Sequence, residues 1–184
     1  MLVGAPDKPL PRWQAEFMTA CAECGYEFES LDHDAILDAL PALAQGHVQL
    51  LAAVEADRLR AHPRPGSWSA LEYGCHVRDV LRFQRDRVML AQAGDVPEFA
   101  SMRRDERAVE ERYNEQDPLA VARELLQSAR HFTDALGGLD EEGWQRTGIY
   151  PWPVRAVRTV EWIGQRTAHE LAHHLFDCRR LLTN

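Results

Sequence analysis

Ser69-Ala70-Leu71-Glu72-Tyr73-Gly74-Cys75-His76-Val77-Arg78-Asp79-Val80-Leu81-Arg82-Phe83 begins as a helix start and continues with a helical period. Ser69 and Glu72 stand three apart, the capping-box spacing at which each side chain satisfies an orphan amide of the other's turn. Tyr73, His76, Val80 and Phe83 then recur at three- and four-residue intervals on one face. This predicts a helix running to about residue 92 and stopped by Gly94.

The same reasoning extends in both directions. Upstream, the proline- and glycine-rich loop at 61–68 follows a helix expected over 41–57, opened by Pro41 and preceded by a short turn at 34–40. Ile36, Leu40, Leu43, His47, Leu51 and Val54 share its apolar face. Downstream, residues 95–116 read as a charged, mostly solvated crossover with a helical piece near 105–113. Asp117-Pro118 opens a third helix and Gly137-Gly138 closes it. Residues 144–153 form an aromatic, proline-containing connection, and the last helix starts after Thr159 and runs nearly to the end. No period-2 strand or internal repeat is apparent. The expected fold is all-α: a four-helix bundle over 34–184 with one long crossover. Residues 1–33, interrupted by Pro6, Pro9 and Pro11 and carrying Cys21-Ala22-Glu23-Cys24, read as an irregular appendage.

Composition narrows the function classes. The 184 residues include 29 acidic and 21 basic side chains, a net charge of −8, with 45% apolar residues. That balance argues against phosphate-driven nucleic-acid binding. No run approaches the ~20 apolar residues of a membrane span. The start lacks the basic and apolar regions of a secretory signal, so a cytoplasmic protein is expected. Lys8 is the only lysine, an arginine bias carrying no chemistry by itself. Four cysteines are too few for a disulfide scaffold.

The histidines are more informative. Thr167-Ala168-His169-Glu170-Leu171-Ala172-His173-His174 puts His169 and His173 one turn apart on one helix face, where both imidazoles can reach one metal ion. The letters also spell HExxH, but Phe176 and Arg179 stand where the longer metallopeptidase pattern needs glycine and histidine. A third ligand must come from upstream, and His76 points into the bundle. Asp79 could orient a ligand imidazole there, and Asp177 could do so beside His173. His47 reads as a core histidine before a ligand or substrate contact, and His33, His62 and His131 fall at loop-like or outward positions. Glu170 and His174 are also four apart and make the alternative ligand pair. Cys21 and Cys24 read as ordinary thiols, with half a structural zinc site or a redox pair as the alternatives. His169 and His173 lie nearly opposite the stripe of Val160, Gly164, Thr167, Leu171 and Cys178, on a side that also carries Trp162, Ala172 and Phe176. The last helix is thus apolar on two sides, and a second copy of the chain, as a homodimer, is expected to cover one of them.

From about residue 34 onward the chain resembles the DinB/YfiT-like superfamily of bundle metalloproteins. The resemblance rests on Arg64-Pro65-Gly66-Ser67-Trp68-Ser69, on His76 with Val77 and Asp79, and on His169, His173 and His174. It implies a divalent metal, zinc or nickel, held by His76, His169 and His173. Relatives use mycothiol, bacillithiol or glutathione, and related thiol-dependent isomerases have a glutamate in the metal triad. The resemblance implies a metal-dependent transfer or isomerisation of a small molecule with a low-molecular-weight thiol. Alternatives are a metal-dependent hydrolase of small esters or amides, or a non-enzymatic metal-binding stress protein. Arg64, Arg166 and Arg180 are candidate carboxylate-binding groups that read first as solvated surface.

Overall fold

The computed structural model describes residues 20–27, 31–152 and 154–183; the remainder of the appendage expected at 1–33 lies outside the described residues. Four long helices carry the fold: α1 (His33–Ala53), α3 (Ala70–Ala93), α5 (Pro118–Gly137) and α7 (Val160–Thr183). Between them lie short helices α2 (Ala56–Arg60), α4 (Arg104–Glu110) and α6 (Glu141–Gln145), a 3-10 turn (Tyr113–Glu115), and strands β1 (Thr147–Tyr150) and β2 (Ala156–Thr159). Both α1 and α3 pack against α5 and α7, whereas α1 meets α3 only weakly. Consecutive long helices α1 and α3 are therefore diagonal, unlike the up-down-up-down order in which sequential helices are neighbours.

Local chemistry sets most of the boundaries. Ser69 Oγ accepts from Glu72 N while Glu72 Oε2 accepts from Ser69 N, so both halves of the capping box are made. Asp117 caps α5 with Pro118 at its first turn, and the Thr159 hydroxyl accepts from Trp162 N at the start of α7. Pro41 does not open a helix; it lies inside one that starts at His33. An interior proline costs about 3 kcal/mol, but the stripe of Ile36, Leu40, Ala44, His47 and Leu51 is buried continuously across it. Burying each such aliphatic side chain contributes about 1.5–3 kcal/mol, which outweighs the break.

Two expectations are corrected. The connection over 144–153 leads into an antiparallel hairpin, with Thr147 opposite Thr159 and Tyr150 opposite Ala156. Its four-residue strands are too short for alternation to register. The crossover is also less solvated than its charge suggests, since Phe99 and Tyr113 are buried. Phe99 N donates to Ile149 O, and a Cβ on Gly148 would be driven into the Phe99 ring, so only glycine lets the crossover lie against the hairpin.

Asp79 holds the crossover's other end. Its fully buried carboxylate accepts from Arg78 Nε (2.8 Å), Arg82 Nη1 (3.3 Å), Arg107 Nε (2.8 Å) and Tyr113 Oη (2.7 Å). Asp79 therefore clamps the crossover rather than orienting a ligand imidazole. Burial alone would raise its pKa, but the bonds from Arg78, Arg107 and Tyr113 win and hold it below the ordinary value. Asp79→Ala leaves Arg78 buried without this partner and is expected to cost about 3–5 kcal/mol at pH 7, read by urea unfolding. Because the folded pKa is depressed, this contribution is complete above the unfolded value of about 3.9 and is lost as pH falls toward the folded one. The gap between wild type and variant should therefore narrow below about pH 4.

Candidate metal centre

Four candidate ligands crowd one stretch of α7: His169, Glu170, His173 and His174. Successive helix positions differ by ~100°, so the pair 169/173 and the pair 170/174 project in different directions. The inner pair meets His76 of α3. Glu170 Oε2 lies 3.2 Å from His174 Nε2 and 3.9 Å from His76 Nε2, and one donor atom from each of the three falls within 4.8 Å of the others. Trp68 and Tyr73 wall the cluster, with ring centroids 5.1 Å from His76 and 5.0 Å from His174 respectively.

The outer pair faces residues 20–27. Cys21, Cys24, His169 and His173 likewise bring one donor atom each within 4.8 Å of one another. The expected trio of His76, His169 and His173 is thus not gathered in one place. His76 joins Glu170 and His174, the alternative register, while His169 and His173 join the two cysteines. A signal for this was in the sequence, because His174 stands three and four residues from Leu171 and Cys178 on the core stripe. The second apolar side of α7 carries cover from the same chain: Tyr26 rests on the His169 ring at 5.4 Å, and Glu23 reaches to 3.6 Å from His173 Nε2.

Two side chains serve both clusters. Arg166 pairs with Glu170 and places Nη1 2.7 Å from His169 Nδ1. Asp177 Oδ2 sits 3.2 Å from His174 Nδ1 and 3.4 Å from His173 Nε2, so it supports His173 as expected and His174 besides. The other candidates lie elsewhere. His47 is a core residue, Nε2 2.9 Å from Leu171 O, and burial depresses its pKa to about 4. His33 stacks on Trp144 at 4.1 Å, His62 pairs with Glu72, and His131 is exposed. Of the three arginines singled out, Arg166 lines a cavity, Arg64 is exposed and Arg180 bonds Asp177.

The inner cluster's electrostatics follow from a buried anion between two imidazoles. Burial would raise the Glu170 carboxyl, but His174, His76 and Arg166 outweigh it and hold it well below the usual range. Burial lowers His76 and keeps it neutral, the form that ligates metal. At His174 burial opposes charge, yet Asp177 and Glu170 prevail and raise its pKa. The outer His169 is pushed down to about 4 by burial and then by Arg166. The cluster opens through His76 and Glu170 into a cavity of about 370 Å³, walled by Phe83, Arg87, Tyr150 and Trp152. Tyr150 Oη, accepting from both Gln84 and Arg87, fixes that wall to α3.

With fold and cluster established, three comparisons bear on them. The family model for the DinB superfamily matches residues 36–176, and the chain belongs to that superfamily. Among solved structures, YfiT from Bacillus subtilis superposes with a TM-score of 0.72 at 18% identity, over 83% of this chain and 90% of its own. That protein is described as a probable metal-dependent hydrolase with an unusual four-helix bundle topology, and the likeness confirms the bundle fold here. No curated protein matches the chain.

The remaining cysteines are inert by position. Cys75 and Cys178 are buried, and burial pushes both thiols up to about 12. A thiol-alkylating reagent on native protein is therefore expected to leave both unmodified, as read by mass spectrometry, and to label them only after denaturation.

Proposed function

We propose that this chain is a divalent-metal-dependent enzyme acting on a small acidic molecule, with His76, Glu170 and His174 as the ligands. One observation carries the reading: two imidazoles and a carboxylate converge beside a cavity within the 300–1,000 Å³ range of small-molecule sites, with His76 and Glu170 on its lining. The residues fit a cation. His174 Nε2 is buried without an aligned hydrogen bond, 3.2 Å from a Glu170 carboxylate held in its anionic form. Three protein ligands opening on a pocket make the catalytic pattern, in which a divalent ion supplies Lewis acidity and lowers the pKa of a small ligand's thiol or of water.

The protein's own groups would do the rest. Arg166 steadies the Glu170 carboxylate, and Asp177 fixes the orientation of the His174 ring. Phe83, Tyr150 and Trp152 give one side of the cavity an aromatic wall. Arg103 and Arg104, whose partners Glu110 and Asp105 are exposed, stand on the cavity wall ready to exchange those weak pairs for a substrate carboxylate.

The reaction we favour is transfer or isomerisation with a low-molecular-weight thiol. Apart from the proposed ligand Glu170, the carboxylates lining the cavity are Asp105 and Glu106, both exposed, and Asp79 is committed to its arginines. No further carboxylate therefore stands beside the cluster as a general base among the described residues. A thiol or a water ionised by the ion would serve as nucleophile without one, and the resemblance to thiol-using relatives is what favours the thiol. Hydrolysis is the second reading, favoured by the two-histidine, one-glutamate set found in hydrolytic zinc enzymes and by the description given to YfiT.

Metal analysis of untagged protein tests the ligands: His76→Ala and Glu170→Gln should each carry one equivalent less zinc or nickel than wild type. Full retention in both would end the metal-enzyme reading. Calorimetry with glutathione or a mycothiol analogue should show binding at least ~10-fold tighter to the metal-loaded protein, about 1.4 kcal/mol. Turnover of an activated ester without thiol would select hydrolysis, and neither response would indicate a binding protein. Asp177→Ala should weaken metal binding about 10–100-fold, measured by competition with a chelating dye.

A further inference from the structure

We propose that Cys21, Cys24, His169 and His173 form a second metal site, structural and zinc-selective, that pins residues 20–27 to the outer face of α7. The four side chains come from segments about 150 positions apart, yet Cys21 Sγ lies 3.6 Å from His173 Nδ1 and all four donor atoms fall within 4.8 Å of one another. The spacings Cys-x2-Cys and His-x3-His are those of tetrahedral zinc sites, and two thiols with two imidazoles are the donor set that zinc takes in such sites. Four protein ligands complete the coordination, and none of the four lines the cavity beside His76. Both facts mark a structural ion rather than a catalytic one.

The cysteine side is shaped for the purpose. Cys21 N donates to Tyr26 O (2.7 Å) and Gly25 N donates to Cys21 O (2.8 Å), closing a tight turn that brings both sulfurs to the helix. Gly25 sits at φ +73°, a conformation glycine adopts without strain, and Ala20 pairs with Glu27 across the base of the turn. On the helix side, Asp177 Oδ2 touches His173 Nε2, the nitrogen facing away from Cys21. A carboxylate behind a ligating histidine fixes ring and tautomer in zinc sites. Both cysteines are free thiols, as ligation requires.

This site shares no ligand with the one proposed above, so the two can fail separately. Untagged, reduced protein should hold two divalent-metal equivalents per chain, of which the one at the cysteine-histidine site is zinc. Cys21→Ser/Cys24→Ser and His169→Ala should each retain one, while His76→Ala should lose the other and combine additively with the cysteine changes. Replacement of zinc by Co²⁺ should give a thiolate-to-cobalt charge-transfer band in wild type and His76→Ala, absent from the cysteine variant. Circular dichroism checks that each variant is folded, and the cysteine pair lies outside the bundle core, so its loss should leave the helical signal intact. Chelation should speed hydrogen exchange over residues 20–27 without affecting α3. Retention of both equivalents by the cysteine variant, loss of one shared ion in His76→Ala and His169→Ala, or no thiolate band in reduced cobalt-loaded protein would each overturn the proposal.

Discussion

A carboxylate with no access to water must be neutralised by its neighbours, and Asp79 meets that demand by drawing in Arg78 and Arg82 from its own helix and Arg107 and Tyr113 from the crossover. Leaving such a charge unpaired is strongly destabilising, so this one residue fixes the 107–113 end of the crossover, as Phe99 on the hairpin fixes the other. Two consequences follow along the chain. Residues 101–106 become a wall of the cavity over His76, and Phe99 is laid on Gly148 of the hairpin. The enclosure around the inner cluster thus depends on charge compensation one helical turn away from it.

The final helix shows how one amphipathic element can be buried on two sides. Its inner face, from Val160 through Thr167 and Leu171 to Cys178, enters the core. Glu170 and His174 stand at the edge of that face, and His169 and His173 lie on the next, beneath residues 20–27. Arg166 and Asp177 span the boundary between them. The two sets are interleaved along the helix because a one-residue step turns a side chain by ~100° while moving it only ~1.5 Å along the axis.

Elements governed by short-range chemistry were legible in the sequence. Ser69 with Glu72, Asp117 with Pro118, Gly94 and Thr159 all mark observed helix ends, because capping is an interaction between residues two to four apart. The family resemblance and bundle fold were equally legible, carried by short motifs in a fixed order of helices. What was not legible depends on distant partners. Pro41 looks like a helix start until the continuous burial of its neighbours is seen, and Tyr113 looks solvated until Asp79 accepts its hydroxyl. The cysteine pair seemed to lack two neighbours for a metal site because the imidazoles that lie beside it, His169 and His173, are far along the chain on a helix already assigned another task. The choice between adjacent histidine registers turns on which face of α7 meets α3: the helical wheel set His169 and His173 opposite the core stripe, while the family resemblance implied them as ligands.

The hairpin between α6 and α7 has a consequence for how this architecture diversifies. Its tip places Pro151 and Trp152 on the cavity wall, with the Trp152 ring 5.3 Å from the Arg166 guanidinium, yet it contributes no ligand to either cluster. The proposed ligands of the inner cluster sit on the long helices α3 and α7, whereas this contact sits on a turn whose length and composition can drift at little cost to the core. This side of the cavity wall and the proposed inner ligands therefore lie on separate pieces of backbone, and relatives of the fold can reshape the one without moving the other.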